Sequence, residues 1–304
     1  MSAAASLAPF LDAPAARRDE PLSRHTSIRV GGPADLFCEV ETEEALAALV
    51  RRARAAGTAV FVLGGGTDVV VADRGVRGLT IKLGRGFRRV AWLEEGGSVR
   101  VRAAAGANLM RLAREAVARG LAGLEFAEGI PGSVGGAAIM NAGAFGGELG
   151  RVVEALSGIT ADGQALRWPR ASLRFEYRRL DLPRGFVVTS VELRLTPGDP
   201  REIEARAAAA RRRRGRRQPV GQPNAGSIFK NPPGDRAGRL IELVGLKGVA
   251  VGAARVSPAH ANFIVNTGGA RAADVRALIE LIRDRVWVRR GVWLEPEVRL
   301  VGEW

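Results

Sequence analysis

The chain is short of the residues that most often do covalent or metal chemistry. There is one cysteine, Cys38, so no disulfide can close within the chain and no cysteine-based metal site can be built. The two histidines, His25 and His260, lie far apart in sequence and give no His-pair pattern, so no metal is expected. Aromatic residues make up 5% of the chain, with a single tyrosine, Tyr177. No apolar run approaches the roughly 18 residues of a membrane span, so no membrane insertion is expected. The N-terminus is Ala-rich, but it lacks a positively charged opening stretch and Asp12 interrupts it early. Residues 1–20 read as a loose leader rather than a signal peptide. A cytoplasmic protein is the expectation.

What is present describes an ordinary globular chain with an unusual charge. Its 304 residues allow about two domains at ~150 residues each. Hydrophobic and charged residues, 46% and 26%, are enough for a core and exclude wholesale disorder. Lysine and arginine exceed the acids by 14. That surplus raises nucleic acid, anionic lipid or phosphorylated small molecules as partners. It is mostly arginine, which genome composition alone also produces.

Helices and strands alternate along the chain. Thr42 is placed to cap a helix with Leu46, Leu49, Val50 and Ala53 on one face, ended by Gly57. Ala59–Leu63 reads as a short buried strand, with further strands at Val69–Val71 and Leu79–Leu83. Asn108 is placed to cap a second helix carrying Leu109, Leu112, Ala113, Ala116 and Val117, with Gly120 after it. Residues 152–160 and 186–195 read as strands, and 161–164 as a hairpin turn. An Ala/Glu/Arg-rich helix over 201–217 ends in Arg211–Arg214, Arg216 and Arg217, which suit its dipole. Pro219, Gly221 and Pro223 then break the chain, marking a domain boundary. Val275, Leu278, Ile279, Ile282 and Val286 share a face of a last helix, closed by Gly291. A strand over 292–301 follows.

Five segments carry candidate chemistry. In Gly64–Asp68, three glycines after a strand let main chain approach a ligand and form an anion-binding nest; a plain tight turn is the alternative. Glu128–Glu148 holds seven glycines, a density unsuited to a helix or strand interior, where each costs ~1 kcal/mol. It suits a flat or phosphate-bearing cofactor lying on backbone. The alternative, a flexible linker, fits poorly with Ile130, Val134, Ile139 and Phe145. In Phe175–Arg178, the arginine beside the only tyrosine suits a carboxylate or oxyanion, or a surface ion pair. In Asn224–Asn231, Ser227 follows a glycine and precedes Lys230. No histidine is near enough in sequence for a Ser-His-Asp triad, so the hydroxyl reads as a polarised proton donor or as a turn serine. In Leu294–Arg299, Glu295 and Glu297 would share one face of a strand, with Pro296 favouring an edge or strand start.

HTSIRVGGPAD (25–35), GGGTDVVV (64–71), GIPGSVGGAAIMNAGAFGGE (129–148), FEYR (175–178), PNAGSIFKNP (223–232), AGRLIELVGLKG (237–248), VSPAHANFIVN (256–266) and LEPEVRLVG (294–302) occur in this order. Together they resemble the UDP-N-acetylenolpyruvoylglucosamine reductases, flavoenzymes that complete UDP-N-acetylmuramate for peptidoglycan. The resemblance runs from about residue 22 onward, to the shorter subtype without an extra tyrosine-bearing substrate loop. It implies an α+β chain. A vanillyl-alcohol-oxidase-type FAD-binding fold of two subdomains, 21–84 and 85–200, would precede a C-terminal α/β substrate-binding domain, 201–304.

The resemblance also implies the roles. FAD, held non-covalently, would meet Gly64, Gly65, Gly66, Thr67 and Asp68, then Gly129, Ile130, Pro131, Gly132, Ser133, Gly135 and Gly136, and Asn141, Ala142 and Gly143. NADPH would supply the hydride, which reaches the methylene carbon of the enolpyruvyl UDP-sugar by way of FAD. Arg178 and Glu297 would stabilise the enolate left on the carboxylate side; Glu297 must then carry or share a proton, which burial favours. Glu295 is the reserve. Ser227 would protonate the alpha carbon. Tyr177, Lys230, Asn231 and Asn262 would meet the substrate, as would one arginine of 211–217, with Arg216 a candidate. The family often has serine where this chain has Leu180. The expected protein is a monomer whose partners are the UDP-sugar and NADPH. The rival readings are an alcohol or sugar oxidase on the same cofactor fold and a nucleic-acid-binding protein. Against the latter, Arg211–Arg217 lacks interleaved aromatics.

Overall fold

The computed structural model describes Leu7, Phe10 and residues 16–304. These divide into two compact units built from separated stretches. The first takes its described residues up to Arg17, with Leu36–Gly65 and Gly78–Arg214; the second takes Arg18–Asp35, Gly66–Arg77 and Gly215–Trp304. Most of the expected leader, 1–6, 8, 9 and 11–15, lies outside the described residues. Of the rest, Leu7 and Phe10 are buried in a core cluster, and Arg17–Pro21 is a strand.

The first unit is organised on an antiparallel sheet ordered Ala165–Pro169, Val153–Ile159, Val187–Pro197, Ser98–Ala104 and Val90–Glu95, with Leu121–Ala122 pairing the end of 187–197. Val187–Leu193 is buried at seven successive positions. Alternation fails there because a core lies on each face: Val188, Val191 and Leu193 belong to one cluster and Val187 to another. Helix α1 (Glu43–Ala55) starts where Thr42 accepts the Ala45 N–H at 3.2 Å. Helix α2 (Leu109–Ala118) starts where Asn108 accepts the Arg111 N–H at 2.9 Å. Both bury the apolar stripes read from their periodicity, except Val117 of α2, which is half-buried. Val60–Leu63 pairs in parallel with Leu79–Lys82 and ends its sheet. As an edge strand it buries only Leu63, which corrects the expectation of a buried strand.

The glycine-rich stretch is not wholly irregular. Val134–Ile139 forms a short helix, α3, that contains Gly135 and Gly136. A Cβ on Gly135 would stand 2.7 Å from the Ala105 Cβ, so glycine here lets the helix lie on the neighbouring backbone. Helix α4 (Pro200–Arg217) buries Ile203, Ala207 and Ala210.

The second unit has a four-stranded antiparallel sheet, Asn224–Ser227, Phe263–Asn266, Ala254–Val256 and Ala250–Val251. Its helices are α5 (Ala237–Leu243) and α6 (Ala272–Arg290). The expected α6 face, Val275, Leu278, Ile279, Ile282 and Val286, is buried. Those five side chains contribute roughly 8–15 kcal/mol of gross burial energy. The helix ends on Gly291 at φ 68, a left-handed cap that suits glycine.

The closing strand is shorter than expected: only Arg299–Val301 is a strand, parallel to Val69–Val71. Pro296 has no N–H to give a ladder, and the neighbouring main chain bonds elsewhere. Lys230 N–H donates to Glu295 C=O at 2.9 Å, and Glu297 N–H to Ile228 C=O at 2.8 Å. Among the described residues no helix is long and apolar enough to cross a membrane, and no cluster of His, Cys, Asp or Glu is placed to hold a metal.

Candidate active site

In the first unit, two glycine-rich segments meet. Gly64 and Gly65 are exposed main chain directly after a strand whose last residue is buried. A Cβ at Gly64 would stand 2.8 Å from the Ser133 Oγ, and one at Gly65 2.8 Å from the Gly132 Cα. The facing loop is pinned from both sides. Leu109 N–H donates to Gly132 C=O at 3.1 Å, and Val134 N–H to Ala107 C=O at 2.8 Å. Ser133 Oγ accepts the Gly136 N–H at 3.3 Å and so caps α3. Glycine at 64 and 65 lets the two main chains lie against each other, and the exposed backbone they present fits a flat, phosphate-bearing cofactor.

Asn141 is buried, and its amide is committed to the scaffold. It donates to Glu176 C=O at 2.9 Å and accepts the Gly150 N–H at 2.9 Å. It thereby ties the glycine-rich segment to the hairpin Phe175–Glu176 and Arg179–Leu180, whose turn is Tyr177-Arg178. Arg178 sits in the left-handed region at φ 56, a position turns normally give to glycine or asparagine. Its guanidinium donates to Gly143 C=O at 2.8 Å and lies 5.3 Å from the Tyr177 ring.

In the second unit, three separated segments are joined by backbone bonds. Ser27 N–H donates to Gly66 C=O at 2.8 Å, and Arg299 N–H to Asp68 C=O at 3.1 Å. Ser227, half-buried, ends its strand opposite Phe263. Glu297, also half-buried, is held against Ile228, the next residue. The stretch 64–68 is therefore split: Gly64 and Gly65 belong to one unit, Gly66, Thr67 and Asp68 to the other.

The neighbouring polar residues take distinct parts. Lys230 pairs with the exposed Glu295 at 2.6 Å, so the two glutamates do not act as one face. Asn262 is buried. It accepts the Phe229 N–H at 3.0 Å and donates to Phe229 C=O at 2.8 Å, holding the main chain beside Lys230. Asn231 is exposed, and its Oδ1 accepts the Ala237 N–H at the start of α5.

The sequence reading did not single out one residue among the arginines of 211–217. In the run Arg211–Arg214, Arg214 continues the buried stripe of Ile203, Ala207 and Ala210 at helical spacing. Its Cδ would be 2.7 Å from a Cβ on Gly129, and its guanidinium lies 5.7 Å from the Phe145 ring. Burial lowers its pKa from the ordinary value, the charge of Arg178 adds to this, and Glu128 opposes it. Glu128 is buried and accepts from Arg114 at 3.0 Å, with Arg211 at 3.6 Å. The face with Gly129 and Gly143 thus carries two guanidiniums, Arg178 and Arg214. Extending the apolar period of α4 by one turn would have picked out Arg214.

Comparisons with known proteins cover nearly the whole chain. Residues 34–168 match an FAD binding domain, and residues 218–301 match the C-terminal domain of UDP-N-acetylenolpyruvoylglucosamine reductase. A UDP-N-acetylenolpyruvoylglucosamine reductase of Anaeromyxobacter dehalogenans (strain 2CP-C) is 50% identical over 94% of this chain and 85% of its own. One from Rubrobacter xylanophilus is 49% identical over 95% of this chain and 96% of its own. The crystal structure of the reductase from Thermus caldophilus superposes with a TM-score of 0.80 at 40% identity, covering 94% of this chain and 99% of that one.

Proposed function

This chain belongs to the UDP-N-acetylenolpyruvoylglucosamine reductase family, and from that membership we propose how its residues divide the work. It is an FAD-dependent oxidoreductase that reduces the enolpyruvyl group of UDP-N-acetylenolpyruvoylglucosamine, a step of peptidoglycan precursor synthesis. Our reading adds NADPH as hydride donor, a monomer as the working form and the cytoplasm as the place of action. It assigns cofactor binding to 21–84 and 85–200 and substrate binding to 201–304.

FAD, when bound, supplies the hydride. The chain's own residues position the cofactor and manage charge and proton. Gly64 and Gly65, with Gly129–Gly136 and Asn141–Gly143, offer main chain to the cofactor. Gly66, Thr67 and Asp68 complete that set. Arg178, with Arg214 as a second guanidinium, stabilises negative charge on the substrate's carboxylate side. Glu297 shares a proton with that side. Ser227 donates a proton from its hydroxyl to the alpha carbon, closing the reduction of the double bond. Tyr177, Lys230 and Asn231 meet the UDP-sugar, and Asn262 acts by holding Phe229 beside Lys230.

One observation carries this assignment: the 2.8 Å bond from Glu297 N–H to Ile228 C=O sets the glutamate segment beside the serine segment. The test separates the two half-reactions in a stopped-flow cell. NADPH should bleach the bound flavin, and the enolpyruvyl UDP-sugar should restore its colour without oxygen. Recovery with oxygen alone, the sugar being inert, would instead indicate an oxidase.

A further inference from the structure

Three of the five tryptophans stand exposed near the end of the chain. Trp287, Trp293 and Trp304 are 52, 52 and 36% exposed, and Val288 is 76% exposed. Soluble proteins seldom leave several large aromatic side chains close together in water without a use for them. These rings are ordered along one flank of α6. Trp287 meets Trp293 edge-on at 6.2 Å. The Arg283 guanidinium lies 4.0 Å from the Trp293 ring, and that of Arg276 5.2 Å from the Trp304 ring. Arg276, Arg283, Trp287 and Arg290 recur at helical spacing beside the buried face. The flank therefore runs about 20 Å at 1.5 Å per residue.

The charge close to the Trp287–Trp293 pair is predominantly positive, although Asp284 and Glu280 lie on the same side of α6 and Glu280 is paired with Arg276. Residues 283–293 contain four arginines and one aspartate. Arg285, Arg289 and Arg290 are exposed and join none of the ion pairs among the described residues. Tryptophan has an apolar body and a polar N–H, and arginine a long apolar stem and a charged head. Both settle at the boundary between headgroups and acyl chains.

We propose that this tryptophan–arginine flank of α6 docks the protein reversibly on an anionic lipid surface. Single-stranded nucleic acid fits less well: guanidiniums already cover one face of Trp293 and of Trp304, and Val288 offers a base nothing to stack on. A second copy fits less well too, because a self-paired patch would bring its arginines together.

Vesicle sedimentation and tryptophan emission test this on the FAD-loaded protein. It should bind vesicles of equal phosphatidylglycerol and phosphatidylcholine, with a blue shift, and bind pure phosphatidylcholine far less. Salt should weaken the binding. Each arginine near such a surface is worth about a fivefold change in partition. Arg290→Glu, at an exposed position on the flank, removes a positive charge and adds a negative one, and should therefore lose roughly tenfold or more, with flavin content and turnover unchanged. Trp287→Ser/Trp293→Ser should lose both the binding and the blue shift. Failure to bind anionic vesicles would overturn the proposal, as would equal binding by both variants. So would flank-dependent binding of an RNA oligomer in place of lipid, or a wild-type dimer that the variants convert to monomer.

Discussion

Gly65→Ala tests whether the two glycine-rich segments form one cofactor cradle. The new Cβ would stand 2.8 Å from the Gly132 Cα, 3.1 Å from the Ser133 N and 3.2 Å from the Gly132 carbonyl carbon. Non-bonded carbons rest at about 3.5–4.0 Å, so the overlap is roughly 0.7 Å or more. The clash is with main chain, which cannot rotate aside. Relief means moving the Gly132–Ser133 loop, which caps α3 through Ser133 and accepts the first N–H of α2. Overpacking of this kind costs about 1–3 kcal/mol. If the displaced loop is where FAD lies, affinity for FAD should fall between about fivefold and a hundredfold. Titration of the apoprotein with FAD reads the affinity, and thermal melting of the apoprotein reads the fold. Gly215→Ala is the control. It lies in α4, with nothing within 4 Å of its added Cβ, so it should keep the FAD affinity and gain up to about 1 kcal/mol of stability. A Gly65→Ala protein that binds FAD within twofold of the wild type would refute the cradle.

Three further outcomes are expected. Ser227→Ala should leave flavin bleaching by NADPH intact and slow reoxidation by the sugar by at least about a hundredfold; full turnover would remove Ser227 from the proton-donor role. Arg178→Ala and Arg178→Gly should both lose the sugar half-reaction. The glycine variant should be the more stable by about 1–2 kcal/mol, because only it relieves the left-handed backbone at φ 56; denaturant melts compare them, and equal stabilities would mean the backbone is unstrained. Burial, with Lys247 and Arg217 nearby, lowers the His260 pKa from its ordinary 6.5. The unfolded chain then takes up the proton first, so the contribution of this group is complete above pH 6.5 and declines as pH falls toward the folded value. Melting temperature followed from about pH 7 to about pH 5 should fall less steeply in His260→Gln.

Local features were legible in the sequence, and long-range ones were not. The caps at Thr42 and Asn108 and the buried stripe of α6 follow from rules spanning four residues or one helical repeat, and they formed as read. The pairing of Val69–Val71 with Arg299–Val301 joins residues some 230 positions apart and leaves no local mark. It helps to gather 66–77 with the C-terminal third, where consecutive domain blocks had been expected. The closing strand was overestimated because a glutamate-proline-glutamate alternation looks like a strand, whereas its backbone partners lie in residues 228–230. Of the site, the motifs gave residue identities but not depth. Asn141 and Asn262 look like ligand contacts in sequence, yet the structure commits both amides to main chain.

Backbone strain offers an independent guide to where side chains matter. Five described non-glycine residues have positive φ, and three of them, Asn141, Phe145 and Arg178, lie in the glycine-rich segment and its attached hairpin. The left-handed conformation costs an L-residue about 1–2 kcal/mol, less for asparagine. Glycine is abundant around Asn141 and Phe145 and would have met the backbone demand more cheaply. Each exception has a side chain with a specific contact. Asn141 ties the hairpin, Phe145 lies under the Arg213 and Arg214 guanidiniums at 5.0 and 5.7 Å, and Arg178 bonds Gly143. At these three positions, where the side chain is used, the retained strain points to function rather than to turn formation. The same reasoning ranks Arg178 above the other hairpin arginines, Arg174 and Arg179. Those two form ordinary surface pairs with Glu176 and Asp181, worth at most about 1 kcal/mol each, and replacing either should leave both half-reactions intact.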